Sequence, residues 1–214
     1  MSRVGRLTVV LVLNLTLVAG LVLAGLGAHS LGVLAAGGDY LADAAAIGVS
    51  LLAIWLSHRP PSPRRPDGYR HATNVAALVN GGWLLVFSVL VGVGAIRRLV
   101  AGAPAVHGLM VLIASAIAAV AMVIGTLILG GDLDDDDGGL DLNVKAVLLD
   151  TVADAAAAGG VALSGAIILA TGGWYWLDPV VALIIAIVVG YHASGLLRKV
   201  IAALRSASHR PQRR

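Results

Sequence analysis

The chain has 214 residues, 58% of them hydrophobic and 13% charged, with a formal net charge of +3 and a mean hydropathy of +0.91. A soluble domain of this size cannot hide so much apolar surface, so composition requires a polytopic membrane protein. Cysteine is absent, which excludes disulfides and thiolate metal or redox sites, and all twelve acidic residues are Asp, whose short side chain holds a site more rigidly than Glu.

Six apolar segments follow one another: residues 8–27, 31–56, 74–96, 108–129, 144–170 and 179–197. Each approaches or exceeds the 17 to 25 residues that a spanning helix needs, and the predicted fold is all-α with six transmembrane helices. Arg3 and Arg6 precede the first segment as in a signal peptide, but the run is longer than a signal core and no Ala-x-Ala site closes it, so it is expected to stay as the first span. The second segment contains Asp39-Tyr40-Leu41-Ala42-Asp43 and leads into a basic, Pro-rich loop at 60–68 that cannot be helical. Arg97 and Arg98 close the third segment, and an acidic, glycine-flanked loop at 130–141 separates the fourth from the fifth. The fifth segment contains Asp150-Thr151-Val152-Ala153-Asp154. Trp174, Tyr175 and Trp176 then supply interfacial aromatics, and Asp178-Pro179 reads as an N-cap followed by proline at the first helical position.

Six spans put both termini on one side. Thirteen Lys and Arg residues fall on that side and two, Arg97 and Arg98, on the other, so the positive-inside rule makes the termini cytoplasmic. The expected organisation is a cytoplasmic N-terminus at 1–7, a transport domain at 8–197 and a short basic tail at 198–214, too short to build a second folded domain. Multi-pass insertion in the plasma or inner membrane is the expected location.

The two Asp-x-x-x-Asp stretches are the chemical anomaly. Carboxylates four apart share one helix face. Four of them facing lipid would cost on the order of 10 kcal/mol, so they are expected to face one another, water or an ion. Spans two and five enter from opposite sides, so Asp39, Asp43, Asp150 and Asp154 can converge near the bilayer midplane if the marked faces meet. Small residues on both helices, Gly37, Gly38, Ala42, Ala153, Ala157 and Gly160, permit that approach. Four converging carboxylates cannot all remain ionised, and a divalent cation would replace the protons they retain. Competition of metal and proton for one site is the basis of an antiporter. Simple interhelical bonding would need neither the number of Asp residues nor their duplication.

These motifs resemble the cation diffusion facilitator family, six-span exporters of divalent transition metals. The family carries paired ligands four apart on its second and fifth helices, which are here Asp39 with Asp43 and Asp150 with Asp154. Asn14 and Gly20, the segment Gly68-Tyr69-Arg70-His71 running on to Asn80, and Asp178-Pro179 agree as well, so the resemblance covers about residues 10–200. It implies metal efflux by a secondary transporter rather than an enzyme, with no cofactor, no nucleic acid, and metal ions, protons and the bilayer as partners. Many zinc exporters have His at the first ligand position, where this chain has Asp39 and Asp150. All-oxygen sites suit Mn²⁺ and imidazole suits Zn²⁺. The Gly-Tyr-Arg segment looks more like the zinc, cobalt and cadmium branch, so Zn²⁺ ranks slightly above Mn²⁺ or Fe²⁺. The family's cytoplasmic ferredoxin-like domain has no counterpart in the tail, so any homodimer would rest on the membrane helices.

Secondary sites are weaker. The acidic loop at 132–141 is a metal collector or, more simply, a solvated linker, and it lacks the glycine and glutamate that an EF-hand needs. His29 and His107 are candidates to line an outer exit path, and His71 an inner entrance. Asn14, Ser50 and Asn80 are candidates to support the ligands through hydrogen bonds. The remaining histidines, His58, His192 and His209, are read as interface or loop residues. An intramembrane aspartyl protease would need Gly-x-Gly-Asp, which neither Asp39 nor Asp150 completes. A scaffold or passive proton pathway is separated from an antiporter by metal-dependent proton release.

Overall fold

A chain crossing hydrocarbon must satisfy its own backbone hydrogen bonds, and runs of Leu, Val, Ile and Ala uninterrupted by proline do so as helices. The computed structural model describes residues 3–57, 70–130 and 142–208. Among these it contains six helices and no strand: α1 (Arg3–Ala28), α2 (Leu31–Ser57), α3 (Arg70–Ala101), α4 (Gly108–Gly130), α5 (Leu142–Thr171) and α6 (Leu177–Ser208). The expected all-α order is what is found. Several helices run past the apolar limits read from sequence, α6 by eleven residues to Ser208, because Arg, Ala and Leu continue a helix beyond the point where hydropathy falls. Thr8–Ala28, Leu78–Ala101 and Leu177–Ala202 are long and apolar enough to cross a membrane, and α4 and α5 contribute the shorter apolar stretches Gly108–Ile124 and Ala155–Thr171.

Polarity is arranged for lipid. Large apolar side chains such as Leu23, Leu90, Val100 and Ile187 are exposed, while the interior is built largely from Ala, Val and Ser. The most extensive pairings are α3 with α6, α4 with α5 and α1 with α2, and α2 also touches α3, α4, α5 and α6. The α4–α5 crossing depends on two glycines: a Cβ on Gly108 would stand 2.8 Å from the Gly165 carbonyl oxygen, and one on Gly165 would stand 2.7 Å from the Leu112 nitrogen. Neither position admits a side chain without separating the helices.

One end of the bundle is tied together. The His107 amide donates to the Ala28 carbonyl at 3.2 Å, and the Arg98 guanidinium donates to the His29 carbonyl at 2.5 Å. The α1–α2 turn, the end of α3 and the start of α4 therefore meet there, which places Arg3 and Ser208 at the opposite end, as six alternating spans require.

Candidate functional site

The site is positioned by a cap that α2 borrows from α6. The first amide groups of a helix have no partner within it. In α2, the Leu31 amide donates to Asp178 at 2.7 Å, the Gly32 amide donates to Asp178 at 3.1 Å, and the Val33 amide donates to the Ser30 hydroxyl at 3.0 Å. Ser30 in turn donates its hydroxyl hydrogen to Asp178. Asp178 is wholly buried, and the Arg98 guanidinium lies 3.8 Å from it. Sequence reasoning made Asp178 the cap of its own helix. It caps α2 instead, because α6 already begins at Leu177 and its first-turn carboxylate reaches across to the neighbouring N-terminus, where the helix dipole also favours negative charge.

The bundle holds a cavity of about 570 Å³ inward of this pin. Its walls come from α2 (Asp39, Ala42, Asp43, Ala46), α3 (Asn80, Leu84), α5 (Ala156, Ala157, Gly160) and α6, from Val181 to Leu196. Asp39 and Asp43 are half-buried and share the cavity-lining face, as their spacing of four predicts. The rotation of α2 is fixed from both flanks. The Tyr40 hydroxyl donates to the Ala118 carbonyl of α4 at 3.2 Å, and the Asn80 side-chain amide donates to the Ala42 carbonyl at 3.4 Å.

The contact between α2 and α5 sets their register. Gly32 backs onto both the pin and α5: a Cβ there would stand 3.0 Å from Asp178 and 3.5 Å from Val161. Counting inward along the two antiparallel helices, Asp39 is seven residues from Gly32 and position 154 is seven from Val161, about 10 Å in each case. Asp43 and position 150 are each eleven residues away, about 16 Å. Position 154 also shares a helix face with Ala157, which lines the cavity. The side chains of Asp150 and Asp154 lie outside the described residues, and among the described residues no three His or Asp side chains form a metal-holding group.

The secondary candidates divide. Asn80 lines the cavity, whereas Asn14 is buried elsewhere in α1. His29 is held by the Leu26 carbonyl at 3.0 Å and His107 is exposed at the tied end, and neither lines this cavity. The loops at 60–68 and 132–141 and the side chains of Ser50 and His71 lie outside the described residues. Sequence reasoning missed His192, which stands on the α6 wall of the same cavity. No local motif marks it, and its position follows only from the pin that sets α6 against α2.

The pattern of the cation efflux transmembrane domain matches residues 7–205. The chain is 32% identical over 177 residues to the zinc transporter ZitB of Escherichia coli (strain K12), covering 83% of this chain and 55% of that protein. It is 29% identical over 171 residues to the cadmium, cobalt and zinc/H(+)-K(+) antiporter of Bacillus subtilis (strain 168), covering 78% of this chain and 53% of that protein. It is 26% identical over 208 residues to the proton-coupled zinc antiporter SLC30A2 of Mus musculus, covering 93% of this chain and 56% of that protein. The chain thus spans about half the length of the curated relatives it matches.

Proposed function

The chain belongs to the cation efflux family, and from this premise we propose that it exchanges divalent transition-metal ions for protons through a site built on Asp39, Asp43, Asp150 and Asp154. The observation that supports the reading is the register: counted from one contact, Gly32 against Val161, the backbone positions of the two Asp-x-x-x-Asp frames come to matching depths, and Asp39 and Asp43 line the cavity. The chemistry follows from charge. An empty cluster of carboxylates holds protons because mutual repulsion and desolvation disfavour full ionisation, and an entering dication displaces them. The proton and the ion therefore exclude each other, which couples their movements when the cavity opens to alternate sides.

Sidedness comes from the basic residues, which make the terminal end cytoplasmic. The cavity extends from Val181, one turn beyond the pin, to Leu196 toward the terminal end, while the opposite end is closed over Asp178. On this reading the cavity is loaded from the cytoplasmic side, toward which its α6 wall runs. Zn²⁺, with Cd²⁺ and Co²⁺, is the favoured cargo, in line with the metals in the relatives' names. Mn²⁺ is the second reading, because the four Asp side chains form an all-oxygen donor set.

Proteoliposomes under an imposed pH gradient and supplied with a panel of divalent metals test the proposal. Metal uptake coupled to proton release is expected, and Asp43→Ala combined with Asp154→Ala should reduce it about 100-fold. Normal uptake by the double variant would sink the four-Asp site.

A further inference from the structure

We infer that His192 is a metal-contacting residue on the cavity wall, an imidazole that meets the incoming ion ahead of the carboxylates and biases the pathway toward Zn²⁺, Cd²⁺ and Co²⁺ over Mn²⁺. The inference rests on the four-Asp reading of the cavity. Depth is its first support. α2 and α6 run in the same direction and are locked at one level by the bonds between Asp178 and the Leu31 and Gly32 amides. From that level Asp43 lies twelve residues inward of Leu31, about 18 Å, and His192 fourteen inward of Asp178, about 21 Å. His192 therefore stands within one helical turn of Asp43, displaced toward the end from which the cavity is loaded.

Its surroundings are the second support. The other α6 residues on this wall are aliphatic, among them Val188, Val189 and Leu196, and His192 supplies an imidazole where the remaining polar lining is Asp39, Asp43 and Asn80. The ring is exposed, and among the described residues it has no hydrogen-bond or ion-pair partner, its recorded contact being the Tyr191 ring at 6.1 Å. His192 therefore lines the cavity without a recorded protein partner among the described residues.

The third support is donor chemistry. An all-oxygen donor set suits Mn²⁺, whereas an imidazole nitrogen on the approach favours the softer Zn²⁺, Cd²⁺ and Co²⁺. Counted from the pin, His192 lies about 3 Å further toward the terminal end than Asp43, which puts it on the approach side of the carboxylates.

The absence of cysteine makes a direct test available. In the full chain, His192→Ala and His192→Gln should each lower the ratio of Zn²⁺ to Mn²⁺ transport about tenfold. His192→Cys should restore the ratio for Zn²⁺ and raise it further for Cd²⁺, which prefers thiolate. The thiol of that variant is the chain's only one, and Zn²⁺ or Cd²⁺ should slow its labelling by a maleimide while Mn²⁺ should not. A ratio unchanged in both the Ala and Gln variants, or labelling indifferent to Zn²⁺, overturns the inference. Labelling is read without transport, so failure of His192 appears there and failure of the four-Asp site appears in the transport of Asp43→Ala/Asp154→Ala.

Discussion

Asp178 and the Asp39–Asp43 pair are carboxylates in the same apolar bundle, but their surroundings assign them different work. Asp178 is wholly enclosed and holds two backbone amides, one hydroxyl and, at 3.8 Å, an arginine. Asp39 and Asp43 are half-buried beside a cavity of about 570 Å³ walled mostly by Ala, Val and Ile. A buried carboxylate whose lone pairs are occupied by fixed donors is structural, since releasing it would orphan the backbone amides it holds. A carboxylate on a cavity wall can trade one partner for another, which the proposed exchange of metal for protons requires. The pin serves the cavity by fixing depth: it sets α2 against α6, and its neighbour Gly32 sets α2 against α5.

The contrast can be broken in a defined order. The largest effect falls on the proposed transport: Asp43→Asn should lower metal uptake about 100-fold while the unfolding midpoint in detergent changes little, because the proposed site loses a ligand and Asn keeps the volume of Asp. A large drop in stability would put Asp43 in the same class as Asp178. Next comes Asp178→Ala, which leaves the Leu31 and Gly32 amides without their acceptor and Arg98 without its ion-pair partner. It should destabilise the fold by about 3 to 5 kcal/mol in equilibrium unfolding, with Asp178→Asn losing less. Near-wild-type stability for the Ala variant would mean that the pin is dispensable. The smallest effect is expected from Tyr40→Phe, which removes the bond to Ala118 and should cost about 1 kcal/mol, with any change in uptake arising through rotation of α2.

Much of this protein was legible without coordinates. Hydropathy placed six spans within a few residues at most of their ends, and the spacing of four placed Asp39 and Asp43 on one face, because helical periodicity is a local property. Asp178 was legible as a helix-start residue but not as the cap of a different helix, since an N-cap motif names a carboxylate and an N-terminus without saying whose N-terminus it serves. His192 was not legible as a cavity residue. It lies 149 positions from Asp43 in sequence, and nothing in its neighbours Tyr191 and Ala193 marks it.

The sequence by itself therefore determined the class of molecule, the number and order of its helices, and the two frames of paired Asp residues, all of which follow from composition and periods of a few residues. Only the tertiary structure decided which faces meet and at what depth. Those depend on contacts between distant segments: Asp178 on the first amides of α2, Gly32 against Val161, and Gly108 against Gly165. In a bilayer the hydrophobic effect drives helices to insert but does not choose their neighbours, so close packing of small residues and a few buried hydrogen bonds make that choice.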